Sequence, residues 1–166
     1  MVKKIQEKPR LDAIDRQMLA ILQDDARITA MDLSKLVGIS PTTVPERIRR
    51  MVRDGYILGF EARLNPAKLR AGFLVLAQVC LDPTQPGGYE HFRAAVRQHP
   101  EVVECHLVAG EFDILLKIRT ADTASYRAFL ARVVPTLPGL RSIRSHVVLE
   151  PDRDSPRVPF SVDMAG

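Results

Sequence analysis

The sequence predicts an α+β protein of two small domains: an N-terminal helix-turn-helix (winged-helix-like) domain, then a C-terminal ferredoxin-like βαββαβ domain. Three observations lead there. Apolar residues recur at spacings of three and four through residues 12–54 and stop at Gly55. From Phe73 the pattern runs strand, helix, strand, strand, helix, strand. Between them Tyr56–Leu64 is extended-looking and Asn65-Pro66 signals a turn. The 166 residues leave room for this division. The boundaries are read as 1–65 for the helical domain with its arm, 66–72 for a linker, 73–150 for the sheet domain and 151–166 for a tail.

The first ten residues are polar and basic, a loose arm. Leu11, Ile14, Met18, Ile21 and Leu22 form the apolar face of a first helix, with Asp12 as its cap and Asp15 placed for its dipole. Thr29 opens a second helix, with Asp32 three residues on. Leu33, Leu36 and Val37 are its apolar face, and Gly38 is its C′ residue. Ser40 and Pro41 lead into a third, with the stripe Val44, Ile48 and Met51. Pro45 lacks an N–H and would break a helix that began at Pro41. Thr43 as N-cap and Glu46 at N3 would make a capping box with Pro45 at N2, so the third helix is expected to start at Val44.

The sheet domain opens with a strand over Phe73–Leu81. The loop Pro83–Gly88 precedes a helix marked by Tyr89, Phe92, Val96 and His99 and stopped by Pro100. Val102–Val108 and Phe112–Arg119 read as a hairpin joined at Ala109-Gly110. Asp122 caps a helix with the stripe Tyr126, Phe129, Leu130 and Val133, and Ser142–Leu149 is the last strand. The order implies an antiparallel sheet with both helices on one face. Leu74, Leu76, Cys80, Leu115, Lys117, Arg119, His146 and Val148 point to the other face. An apolar face with nothing to cover it predicts dimerisation by sheet-on-sheet packing. The tail reads as an extended arm.

Composition limits the function. Hydrophobic residues are 46% and charged residues 27%, which excludes disorder over the whole chain. The net charge of +4 permits nucleic-acid binding without requiring it. Two cysteines, Cys80 and Cys105, build no disulfide scaffold. The basic start lacks a following apolar region, and no apolar run reaches the ~20 residues of a membrane helix. A soluble, cytosolic, reduced protein is expected.

The third helix carries the chemistry. Residues 44–54 hold Arg47, Arg49, Arg50 and Arg53 against Glu46 and Asp54, a local net of +2. Glu46, Arg49, Arg50 and Arg53 lie opposite the apolar stripe, with Arg47 on the flank. Ser40, Thr42 and Thr43 place hydroxyls at the helix N-terminus, where free N–H groups suit a phosphate or base edge. Arg on the outer face can contact guanine through two of its nitrogens at once. An Arg-rich face is more often simply solvated; the three-helix frame with its tight turn favours DNA. Arg27, Thr29 and Lys35 complete the candidate DNA-binding set with Ser40, Thr42, Thr43, Glu46, Arg47, Arg49, Arg50 and Arg53. Cys105 and His106 point to opposite faces, and no metal-ligand spacing occurs. Glu111 and Asp113 share a side, but no nucleophile elbow, phosphate loop or dinucleotide fingerprint accompanies them, so neither an enzyme nor a cofactor is expected.

Leu11-Asp12-Ala13-Ile14-Asp15-Arg16, Leu22-Gln23-Asp24-Asp25-Ala26-Arg27, Leu33–Pro41 and Glu46-Arg47-Ile48-Arg49-Arg50 resemble the Lrp/AsnC (leucine-responsive, feast/famine) family of regulators. Glu104–Asp113 and Leu137-Pro138-Gly139 are close to its leucine-responsive branch, and the resemblance covers residues 10–150 in order. Thr43 and Pro45 stand where that branch usually carries Pro and a larger residue, a difference that bears on operator preference. The resemblance implies a cytoplasmic, bacterial or archaeal nucleoid-associated regulator that binds double-stranded DNA. It implies homodimers assembling to octamers or similar rings, with an amino-acid effector between dimers. The matching effector positions are Leu107, Val108, Gly110, Asp113, Thr123, His146 and Val148. There Asp113 would pair with an ammonium, N–H groups near Gly110 would hold a carboxylate, and Leu107 and Val148 would line an apolar pocket. His146 occupies a place often held by an aromatic or aliphatic residue. Two rivals remain: an architectural DNA binder without effector response, and a small-molecule-binding or catalytic ferredoxin-like domain whose helical half binds protein.

Overall fold

The structure, a computed structural model, describes residues 11–151, 155 and 157–162. The reading of residues 1–10 as a loose arm lies outside them. The described residues form two compact units: a helical unit up to Ala62, joined by the tail from Ser155 on, and a sheet unit from Arg63.

The helical unit begins with α1 (Ala13–Asp24), held by a reciprocal cap. The Asp15 N–H donates to Asp12 at 2.7 Å and the Asp12 N–H donates back to the Asp15 carboxylate at 3.2 Å. In α2 (Ala30–Val37) Thr29 caps the first turn, and Gly38 closes the helix with a φ of 72°, a left-handed conformation that glycine adopts without strain. Met18, Leu22, Leu33, Val37, Val44 and Met51 form one buried cluster beneath the three helices.

The third helix, α3 (Thr43–Arg53), starts one residue earlier than expected, and Thr43 is inside it rather than capping it. Thr42 is the cap residue, already in helical conformation and without a side-chain capping bond. A turn at Ser40 explains this. The Thr43 N–H donates to the Ser40 carbonyl at 3.0 Å, and the Ser40 and Thr42 hydroxyls bond at 2.7 Å. The chain therefore enters helical geometry before Thr43, and the Thr43–Glu46 box is not needed. Pro45 falls in the first turn, where no intrahelical acceptor awaits an N–H.

In the sheet unit, β1 (Phe73–Leu81), β2 (Val102–Leu107), β3 (Ile114–Thr120) and β4 (Leu140–Val147) form an antiparallel sheet in the order β2-β3-β1-β4. The helices α4 (Gly88–Val96) and α5 (Thr123–Val133) cover one face. There Val75, Ala77, Val79, Ile114, Leu116 and Ile118 meet Phe92, Val96, Tyr126, Phe129 and Val133 in a single core. Asp122 caps α5 by accepting from the Ser125 N–H at 2.7 Å, which holds its carboxyl below the usual range. Two strand limits differ from the alternation. The β2–β3 link is the longer loop 108–113, closed by the Val108 N–H on the Asp113 carbonyl at 2.9 Å, rather than a tight turn at Ala109-Gly110. The strand β4 begins at Leu140, pairing with Leu81 across a register shift.

The other sheet face carries Leu76 and Gln78 on β1 and Leu115 and Lys117 on β3. Glu104 and His106 flank them on β2, and Arg144 and His146 on β4. Lys117 donates to Glu104 at 2.9 Å, and His106 lies 3.1 Å from the same carboxylate. The hydrogen bonds from Lys117 and His106 hold the Glu104 carboxyl below its ordinary range. The apolar centre is narrower than strand alternation predicts, because Leu74 is already buried.

Candidate nucleic-acid interface and effector positions

The outward face of α3 is a single line. Thr42, Glu46, Arg49 and Arg53 recur at intervals of four, three and four, and all four are exposed. Glu46, Arg49 and Arg53 keep between 70% and 79% of their side-chain surface in solvent. Glu46 and Arg49 approach only to 3.9 Å, too loose an ion pair to withhold either group from a ligand. Helix spacing thus presents two guanidinium groups and one carboxylate on a surface of the width that enters a major groove.

Arg47 and Arg50 are turned elsewhere. Asp15 on α1 is fully buried, and its carboxylate receives Arg47 at 2.9 Å and also Arg50. Arg47 reaches Asp12 as well, at 2.6 Å. Burial pushes the Asp12 carboxyl up, but the hydrogen bonds from Arg47 and the Asp15 N–H, with the Arg47 and Arg50 charges, outweigh it and hold it low. The hydrogen bonds that Arg47 donates to Asp12 and Asp15 likewise raise the guanidinium's affinity for its proton. A buried carboxylate needs such partners, because stripping its water without replacing it is costly. The helical wheel sets Arg50 on the outer face; in the structure it and Arg47 are the pegs that lock α3 onto α1. The dipole role is all that its place at the helix start gives Asp15, yet the sequence carries a further signal: the residue falls three and seven positions before Met18 and Leu22, on the buried stripe itself.

The remaining DNA candidates surround this face. Arg27 is exposed, and its own N–H is held by Asp25 at 2.8 Å. Lys35 is exposed and pairs with Asp32 at 3.2 Å. The Thr29 hydroxyl is committed locally, accepting from the Asp32 N–H at 3.1 Å and donating to the Asp32 carboxylate at 2.7 Å. Ser40 and Thr42 satisfy each other, and Thr43 is half-buried.

The effector candidates do not meet in one chain. Leu107, Val108, Gly110 and Asp113 gather at the loop between β2 and β3, while Thr123 begins α5, beyond the opposite end of β3. Six strand steps separate those ends, about 20 Å. The Val148 N–H donates to the Leu74 carbonyl at 2.9 Å, beside the Thr123 end. His146 sits mid-sheet on the far edge strand, opposite Leu76. Asp113 also has a structural task, accepting the Leu81 N–H at 2.7 Å where β1 shifts register. Gly110 lacks a positive φ, and a Cβ there would meet nothing within 4 Å, so space around it is open. Among the described residues no group of three or more His, Cys, Asp or Glu could hold a metal ion, and no helix is long and apolar enough to cross a membrane.

Comparison with known proteins agrees with both units. A winged helix-turn-helix DNA-binding profile matches residues 11–57, and the Lrp/AsnC ligand binding domain profile matches residues 74–158. The leucine-responsive regulatory proteins of Salmonella typhimurium and Escherichia coli are 46% and 45% identical over 148 residues, spanning 89% of this chain and 90% of theirs. An AsnC family transcriptional regulator from Agrobacterium tumefaciens superposes with a TM-score of 0.84 at 32% identity, over 90% of this chain and 97% of its own. A transcriptional regulator from Neisseria meningitidis, solved as its L-Met complex, gives 0.85 at 27% identity over the same shares. With both domain profiles matched in order and relatives nearly half identical over about nine-tenths of each chain, the chain belongs to the Lrp/AsnC family of transcriptional regulators, on its leucine-responsive branch.

Proposed function

We propose that this regulator reads its operator through Glu46, Arg49 and Arg53 on α3, and that an amino acid bound between subunits biases its assembly. The observation that carries the DNA half is the exposed line Thr42–Glu46–Arg49–Arg53 on a helix pinned from behind by Asp15. Arg27 and Lys35 supply phosphate contacts that set register. Arg47 and Arg50 hold the helix rather than touch DNA.

The division of the effector candidates supports a shared site. Two groups about 20 Å apart on one sheet cannot grip one amino acid, but the loop 108–113 of one copy can meet the Thr123 and Val148 end of another. The open sheet face, with Leu76 and Leu115 at its centre, supplies the dimer contact, and dimers then build the larger ring. The meningococcal relative's L-Met complex makes an amino acid the first ligand to test. Binding that differs between two assemblies shifts the population between them.

The test is a thermal-shift screen of the twenty amino acids, followed by gel shifts on the protein's own promoter region with and without the hits. A ligand selective for the folded assembly raises the melting temperature and changes the shifted species. Specific operator binding indifferent to every amino acid would leave an architectural DNA binder. A monomer by sedimentation at micromolar concentration would overturn the shared site.

A further inference from the structure

The tail after β4 returns to the helical unit, where three of its residues bond to α1. Gln23 grips both backbone groups of Val158: its Oε1 accepts the Val158 N–H at 2.8 Å and its Nε2 donates to the Val158 carbonyl at 3.3 Å. Arg16 donates to the Ser161 carbonyl at 3.4 Å. Arg157 grips Asp24 with two nitrogens, at 2.6 and 3.2 Å. The tail therefore runs antiparallel to α1, residues 157, 158 and 161 meeting residues 24, 23 and 16.

The spacing fits two kinds of helix laid side by side. Arg16 and Gln23 are seven residues apart, two turns of α1, and so share one face about 10.5 Å apart. Val158 and Ser161 are three residues apart, one turn of a polyproline-type chain, about 9.3 Å. Pro159 favours that geometry, since it fixes its own φ and keeps Val158 extended. An extended residue also directs its N–H and C=O to one side, which is what the Gln23 amide reads.

We propose that α1 carries a docking face for this chain's own C-terminal tail, and that the docked tail is a strap giving the DNA-binding unit a second attachment to the effector unit. The chain already passes from helical to sheet unit once, near Ala62. With the tail docked it returns near Ser155, so the helical unit is tethered at two points. The clasp is built to open. Arg157 and Asp24 keep 50% and 59% of their side-chain surface exposed, and exposed ion pairs are weak. Its occupancy depends on the high effective concentration of an attached segment. The docking itself is independent of the DNA-binding reading; only the identity of the strapped unit as the DNA-binding one rests on it.

The test places cysteines beside the clasp, Gln17→Cys and Ser161→Cys, and joins them with a bis-maleimide of about 10 Å span in full-length protein. The Ser161 contact uses its backbone carbonyl, so the substitution preserves it. Peptide mapping identifies the link and separates it from Cys80 and Cys105; band size distinguishes a link within one chain from one between chains. The expected result is a link within one chain, slowed several-fold by Arg157→Asp and by Gln23→Ala. Combining Arg157→Asp with Asp24→Arg restores the rate. A link between chains would assign the face to a second copy's tail and overturn the strap. A rate indifferent to the charge reversal and to Gln23→Ala would show that the tail does not dock.

Discussion

Replacing Asp15 with Asn tests whether two of the four arginines in α3 serve architecture rather than DNA. The substitution keeps shape and removes charge from a side chain with 1% of its surface exposed. Breaking a fully buried ion pair costs about 3–5 kcal/mol, because the partner's charge stays behind. Here the partners are not fully buried. Arg47 and Arg50 keep 20% and 34% of their side-chain surface, and Arg47 retains Asp12. The expected loss is therefore smaller, about 2–3 kcal/mol. Urea unfolding followed by circular dichroism measures it as a lowered midpoint with an unchanged slope. Combining Asp15→Asn with Arg47→Gln should cost less than the sum of the two singles. A loss under about 0.5 kcal/mol, the range of ordinary surface substitutions, would refute the argument. So would an Arg47→Gln variant of full stability that had lost operator binding.

Arg49→Ala should behave in the opposite way, changing stability little but weakening operator binding by about 1–3 kcal/mol and relaxing base preference, read by gel shift on operator variants. Asp12 has a folded pKa below the unfolded value of about 3.9, so its stabilisation is whole above that pH and disappears as pH falls through the folded value. Acid titration of Asp12→Asn should accordingly show a shallower loss of stability below about pH 4. Asp113→Asn keeps an acceptor for the Leu81 N–H and so should preserve the melting temperature while abolishing the amino-acid shift. Asp113→Ala should lose the shift and also about 1 kcal/mol of stability; an unchanged effector titration in both variants would remove Asp113 from the site.

Much of the fold is legible in the residues because local rules agree there. Asp12, Thr29 and Asp122 each cap the helix they precede, Gly38 takes the left-handed position its place demands, and β1 has the limits its alternation predicts. The start of α3 was not legible, because two adjacent threonines both suit a cap and only the Ser40 turn decides between them. A helical wheel treats every arginine off the apolar stripe as solvated. It does not know that a carboxylate on the neighbouring helix sits under Arg50, although a charge on the stripe of Met18 and Leu22 demands a partner from somewhere. The scattering of effector positions was implicit in strand order, since a β2–β3 loop and a β3–α5 connection must lie at opposite ends of β3. What could not be read is the tail's return to α1, whose contacts join residues more than 130 positions apart.

Asp12 and Asp15 also change how DNA binding should depend on its ionic surroundings. They cancel the charge of Arg47 and Arg50, so that under the proposed reading, with Arg49 and Arg53 on base edges, Arg27 and Lys35 are the cations of the candidate set left to displace counterions from phosphates. Two phosphate contacts give a slope of log affinity against log salt of about −1.8 per helical unit, a fall of roughly 12-fold between 50 and 200 mM. A single helical unit with this reading would draw little affinity from counterion release, and several units on the same stretch of DNA would multiply both the affinity and its salt dependence.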